Sequence, residues 1–318
     1  MLNSVPLRQR RCHLYHIATC GRNGLLAIGG IWIGLVPAFA LDSSNAGTSR
    51  NNQTKHFISA QQALQVGVGD LKTGDVEGSI AALAYAAVNG QPLALWKLGV
   101  LYASGDHVPR DDVKAYYYFN QLVEGYDEDH IDWSDVSAIS DAFVDVGVYC
   151  LNGIPNTDVK PDPRRAYELF QYAGTTFRNP NAQFNLARMY ILGAGGLSRD
   201  NLTAIRWLSL AAKQGHPPSE ALLGHMLFMG EGVQHQRARG LMWLEFANDG
   251  ASGPKDQWIR DAYQRDLQAA EGNDRRLAAA MREALTETRR KPIPAESTVW
   301  SFFGPSAALL TAPSSPAE

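Results

Sequence analysis

Cysteine and catalytic signatures are what this 318-residue chain has least of. Of its three cysteines, Cys12 and Cys20 fall in a segment read below as a cleavable leader. Cys150 is then alone, so no internal disulfide can form in the remainder. Its place on a helix face predicts burial as a small hydrophobe rather than reactivity. No G-x-S-x-G, H-E-x-x-H or G-x-x-x-x-G-K-[ST] occurs, which removes the ready signs of an acyl-transfer nucleophile, a zinc site and a phosphate loop. His56, His107, His130, His216, His225 and His235 fall mostly in inter-helix turns, with no pair at ligand spacing. His225 and Glu245 could approach in space, as residues of any stacked array can. The sequence thus predicts a protein that is not an enzyme, with no catalytic residue, cofactor or metal assigned.

The N-terminus carries charge of one sign only. Arg8, Arg10, Arg11 and Arg22 precede the first acidic residue, Asp42. An apolar run of 12 residues follows at 25–36 (LLAIGGIWIGLV), then Pro37-Ala38-Phe39-Ala40, an A-x-A cleavage pattern. The run is short of the about 20 residues that span a bilayer. Residues 1–40 are therefore expected to be a signal peptide for general secretory export, with the periplasmic protein starting at Leu41. An uncleaved anchor or a start codon further downstream is the alternative. Cleavage leaves 25 basic and 32 acidic residues, a net charge of −7. That balance disfavours nucleic acid and anionic membrane as partners, and it predicts no direct membrane insertion.

What is present in abundance is a repeat. Residues 181–250 alternate two motifs. One is a small residue followed six positions later by Gly: Ala187 to Gly193 and Gly224 to Gly230. The other is a small residue with Trp at +3, Ala at +7 and Gly one turn on: Ala204, Trp207, Ala211, Gly215, and Gly240, Trp243, Ala247, Gly250. Such positions share a helix face. The small residue admits a neighbouring backbone, the +3 side chain fills the space beside it, and the final Gly fits a left-handed C-cap. The first motif recurs at Gly99 to Gly105 and Gly147 to Gly153. The second recurs from Ser79, Ala115 and Ala166. The small residues at 99, 147, 187 and 224 give periods of 48, 40 and 37. A helix pair at such a period predicts an all-α fold, an α-solenoid, against chance spacing in a generic bundle.

These residues resemble Sel1-like repeats, relatives of the tetratricopeptide repeat, over 81–111, 181–216 and 221–233. Within that family, 152–177, 181–196 and 274–285 resemble a branch of periplasmic negative regulators of exopolysaccharide synthesis. The resemblance implies a helix-turn-helix solenoid that binds the periplasmic domain of a sensor histidine kinase and holds it off. The alternative is a scaffold or accessory subunit of an envelope polysaccharide or peptidoglycan enzyme.

Around the repeats, the sequence predicts a polar lead-in at 41–56, a solenoid with an N-terminal cap helix over 57–250, capping helices in 251–290 and a disordered tail at 291–318. Two surface features stand out. Tyr116, Tyr117, Tyr118 and Phe119 are consecutive, and the ruler places only Tyr118 at the core position. Tyr116, Tyr117 and Phe119 are therefore a candidate partner-binding cluster, with packing against the previous helix as the alternative. The insertion at 126–134 (YDEDHIDWS) lengthens one unit, and Asp127, Glu128, Asp129, His130 and Asp132 crowd it. It lacks the Gly and Glu of a calcium loop, so it reads as a solvated acidic loop. Acid would neutralise its carboxylates and protonate His130, making it a candidate switch.

Overall fold

The computed structural model describes residues 57–130 and 135–290. The leader, the lead-in, the tail and Asp132 lie outside the described residues. Twelve α-helices make up the described chain, with no strand among the described residues. In order they are α1 (Ala60–Thr73), α2 (Val76–Val88), α3 (Pro92–Ser104), α4 (Asp112–Glu124), α5 (Val136–Asn152) and α6 (Pro163–Thr175). Then come α7 (Pro180–Leu192), α8 (Asn201–Lys213), α9 (Pro217–Met229), α10 (Arg237–Gly250), α11 (Gln257–Ala269) and α12 (Gly272–Arg290).

Short polar residues start these helices by accepting orphan amide protons. Asp75, Asp111, Asp162 and Asp200 accept from the backbone N–H three residues on, at 2.9–3.0 Å. Pro92, Pro163, Pro180 and Pro217 occupy the first turn, where a missing N–H costs nothing. The repeat glycines Gly105, Gly193 and Gly230 cap α3, α7 and α9 at φ 76°, 70° and 76°. The final glycines of the second motif differ among themselves. Gly215 has φ 78°, whereas Gly250 is the last residue of α10 and a Cβ there would lie 2.7 Å from Pro217 Cγ. Gly250 is small because Pro217 of α9 presses on it, not because it turns left-handed.

Helices pair two by two across the loops that follow the first motif: α1 with α2, α3 with α4, α5 with α6, α7 with α8 and α9 with α10. The contact is the same each time. A Cβ on Gly67 would sit 2.7 Å from Leu83, one on Gly99 2.4 Å from Phe119, and one on Gly147 2.5 Å from Phe170. One on Gly224 would sit 2.7 Å from the Gly240 carbonyl oxygen and 2.8 Å from Leu244. Gly67 thus extends the repeat one unit towards the N-terminus. The residue that fills the space is at +4 from the small residue of the partner helix, not +3. Leu83, Phe119, Phe170, Leu208 and Leu244 are all at most 1% exposed. The +3 residues Tyr118 and Trp207 are half-buried, and Trp243 is buried.

Two core clusters run along the array, and Trp207 packs against both. At the C-terminal end, Ile259 and Ala262 of α11 pack with Ala221 and Leu244. Ala278 of α12 closes the second cluster, and the Arg282 guanidinium reaches Asp249 and Glu245 of α10. No described helix is long and apolar enough to cross a membrane.

Candidate functional site

The aromatic run on α4 divides. Phe119 is 1% exposed against Gly99, so it leaves the candidate surface and joins the core. Its burial follows from the +4 register. Tyr116 is half-buried, with its ring edge-on to Tyr149 at 6.0 Å. Tyr117 alone is open, 47% exposed, and its hydroxyl accepts from Gln121 Nε2 at 2.7 Å. Tyr118 stacks on Tyr102 at 5.9 Å, and the Lys114 ammonium lies 5.0 Å from that second ring. What remains exposed of the cluster is Tyr117.

The acidic insertion is fastened at its first residues. Tyr126, Phe143, Tyr172 and Phe177 form a closed box in which every pair of rings lies 5.1–5.9 Å apart. The Tyr172 hydroxyl donates to the Glu128 carboxylate, and its oxygen lies 3.2 Å from the Tyr126 hydroxyl oxygen. Burial, and then the bond to Glu128, push the Tyr172 phenol up, so it stays a donor at any physiological pH. Asp127 accepts from the Asp129 amide at 3.0 Å, and Asp127, Glu128 and Asp129 are all exposed. His130 ends the short 3-10 turn Glu128–His130. Local sequence gave no sign of the box, because its rings are contributed from positions 126, 143, 172 and 177.

A ladder of polar side chains links successive units. Asn179 caps α7 through its Oδ1 and donates through Nδ2 back to Ser140 Oγ at 2.8 Å and Asp141 Oδ1 at 2.9 Å. One unit on, His216 bonds Ser219 at 2.8 Å and Asn181 Oδ1 at 3.0 Å. Burial lowers the His216 imidazole to about 4, so it works here as a neutral ring. Gln214 donates to Gln183 Oε1 at 3.0 Å in the same row. His225 pairs with the buried Asp266 of α11 at 2.7 Å rather than with Glu245.

Beside this ladder runs a groove lined by Trp96 of α3, by Asp141, Val144, Asp145 and Val148 of α5, and by Asn181 and Asn185 of α7. A second depression, around Ser137, Ser140, Arg178 and Gln214, shares Asp141 and Asn181 with it. Burial, and then the Asp141 carboxylate, push Asp145 up to about 7. Burial also raises Asp141, opposed by the hydrogen bond from Asn179. No Lys, Arg or His among the described residues pairs with either carboxylate. Among the described residues no group of three or more His, Cys, Asp and Glu could hold a metal.

The sequence profile of the Sel1 repeat matches residues 92–125, 142–175, 180–216 and 217–251. The "Exopolysaccharide production negative regulator" of Rhizobium meliloti (strain 1021) is 31% identical over 261 residues, 82% of this chain and 91% of that one. The chain belongs to the Sel1 repeat family. The protein of the same description from Rhizobium leguminosarum bv. viciae is 33% identical over 215 residues, 67% of this chain and 78% of its own. A Sel1 repeat protein of Oxalobacter formigenes shares the fold, at a TM-score of 0.53, 20% identity, and coverage of 72% of this chain and 88% of that one.

With the Sel1 units laid in register, the groove has a simple origin. Two and six positions before the small residue of α3, α5, α7 and α9 stand Lys97 and Leu93, Asp145 and Asp141, Asn185 and Asn181, Leu222 and Pro218. These positions lie on one face of each helix. Only the two central Sel1 units carry polar side chains at both. Comparing units at those positions is the sequence signal that would have found the groove.

Proposed function

We propose that this protein is an exported negative regulator of exopolysaccharide production. In this reading it acts in the periplasm by binding the periplasmic domain of a sensor histidine kinase and holding the kinase off. The observation that carries the reading is the relationship to the Rhizobium meliloti regulator, which runs through 91% of that chain rather than through the repeats alone. The leader-like residues 1–40 support export, and the acidic remainder supports a protein partner over nucleic acid or anionic lipid. A helical array with exposed grooves and no assigned catalytic group fits an interaction module.

The test is deletion of the gene together with affinity capture from envelope extract. Deletion should raise secreted polysaccharide and switch on the cognate response regulator, and complementation should restore both. Capture with the tagged protein should enrich a histidine kinase. Unchanged polysaccharide in the deletion strain, or enrichment of a polysaccharide synthase or hydrolase in place of a kinase, would overturn the proposal.

A further inference from the structure

The groove between α3, α5 and α7 holds two polar groups that the chain leaves without partners. One is the Asp145 carboxyl. It sits a turn after Asp141 on the same helix face, close enough that the two carboxylates repel, and no cation or hydrogen-bond donor of the described chain pairs with it. The other is the Trp96 indole nitrogen, fully enclosed and without an acceptor. A half-buried ion without a counter-charge and an enclosed donor without an acceptor each destabilise the fold. Elsewhere in the array the equivalent positions avoid this. Asn185 donates to the Asn181 carbonyl oxygen at 3.0 Å, and α9 carries Leu222 and Pro218 there. An acid pair at one unit alone is therefore not a demand of the repeat.

The rest of the wall restricts what can enter. Val144 and Val148 give an apolar flank. Asn181 Oδ1 already bonds His216 Nε2, a ring kept neutral by burial, and Arg178 lines the adjoining depression without an ion pair to either carboxylate. The Lys97 ammonium lies 5.4 Å from the centre of the Trp96 ring, which occupies the face of the indole and leaves its edge. The unmet needs are thus a counter-charge for Asp145, with Asp141 a helical turn away already holding one hydrogen bond from Asn179, and an acceptor for one N–H. A cation alone answers only the first.

We propose that this groove is a docking site for an extended segment of the protein partner, with an Arg or Lys side chain placed between Asp141 and Asp145. A backbone carbonyl of that segment accepts from Trp96 Nε1 as the indole edge turns to the mouth. This rests on the reading of the protein as an interaction module and names the chemistry of what it binds. Charge complementarity selects the occupant. An acidic or neutral segment leaves Asp145 unpaired, and a free cation leaves Trp96 unpaired.

The purified full chain is titrated at neutral pH with acetyl-Gly-Arg-Gly-amide, and in parallel with acetyl-Gly-Glu-Gly-amide, following the indole N–H resonances. The Trp96 signal is identified by its loss in Trp96→Phe. The Arg peptide should shift that signal saturably and the Glu peptide should not. Asp145→Asn should weaken the Arg peptide by about tenfold or more, as truncating one partner of a buried charge pair does. Asp145→Asn should also melt higher than wild type above neutral pH, whereas a carboxylate that served the fold would leave the variant less stable. Asp141→Asn is the second variant and should weaken binding in the same direction. No shift with the Arg peptide, an equal shift with the Glu peptide, or full binding by both variants overturns the proposal. Failure of the wild type to capture a kinase, with the peptide response intact, sinks the regulatory reading and leaves the groove. Capture of the kinase by Asp141→Asn/Asp145→Asn at wild-type strength sinks the groove as the partner's site and leaves the regulatory reading.

Discussion

Replacing Gly224 with Ala adds one methyl group at the point where α9 and α10 lie closest. Helix propensity alone would favour the change by about 0.5–1 kcal/mol. Packing opposes it. The new Cβ would stand 2.7 Å from the Gly240 carbonyl oxygen, 2.8 Å from Leu244 Cγ and 3.0 Å from the Leu244 nitrogen. The reverse view is as crowded, with a Cβ on Gly240 2.6 Å from the Gly224 oxygen. Backbone atoms of a helix cannot swing aside as the end of a side chain can, so the two helices must separate. Overpacking of this kind costs about 1–3 kcal/mol. After the propensity gain, the net loss is about 1–2 kcal/mol, or about 2–8 °C in melting temperature for a chain of this size. Gly69 of α1 is the control, because nothing lies within 4 Å of its added Cβ and it is exposed. There the same methyl should raise stability by about 0.5–1 kcal/mol. Far-UV circular dichroism melts of wild type, Gly224→Ala and Gly69→Ala give the comparison, and Gly224→Leu should fall further than Gly224→Ala. If Gly224→Ala melts at or above wild type, or if Gly69→Ala falls as far, the close approach at the small residues does not hold the array together.

Asp145→Asn should show its largest stability gain above neutral pH. Asp145 is raised to about 7 in the fold, so the native state holds a proton that the unfolded chain releases near its ordinary value. Stability from this group is complete below the unfolded value and is lost as pH rises through about 7, by up to about 4 kcal/mol. His216, lowered to about 4, acts in the opposite sense, losing stability as pH falls below the ordinary imidazole value. The difference between variant and wild type isolates Asp145; urea titrations at about pH 5 and about pH 8 should show it shrink by about 2–3 kcal/mol on acidification. A difference independent of pH would mean that the carboxylate is solvated or paired. N-terminal sequencing of the protein from a periplasmic extract should begin at Leu41, and an intact Met1 would remove export by cleavage. Limited proteolysis should nick first within 127–134, beyond the fastened Tyr126, and more readily when Tyr172→Phe removes the bond to Glu128. Identical cutting of Tyr172→Phe and wild type would take that anchor out of the loop's control.

The repeat was legible because it rests on local chemistry that recurs. Small residues, capping aspartates and turn glycines each act within a few positions, so their spacing is visible in one dimension. The error at Phe119 has a geometric source. Positions +3 and +4 lie about 100° apart on a helix and flank the same face, so spacing alone does not choose between them. Trp207 and Trp243 are the conspicuous residues of the motif, but Leu208 and Leu244, one position on, do the filling. The groove was not legible in any one stretch, because Trp96, Asp145 and Asn185 come from three units. Asp145 reads locally as one more polar residue of an amphipathic helix. Only the packed neighbours make its charge costly.

The hairpin contacts also decide how the chain would come apart under tension. The small residues tie α3 to α4, α5 to α6, α7 to α8 and α9 to α10, so each strong seam spans a glycine loop. The joints between hairpins are the turns at Asn179 and His216, which add side-chain bonds to the preceding unit to the apolar core shared between units. A pull on the two ends would therefore open the array hairpin by hairpin rather than helix by helix. Each step would release one helical hairpin and the turn that follows it. Such a chain lengthens in discrete increments of about one repeat, and the hairpins that start at Pro92 and Val136 would each release more residues than the one that starts at Pro180.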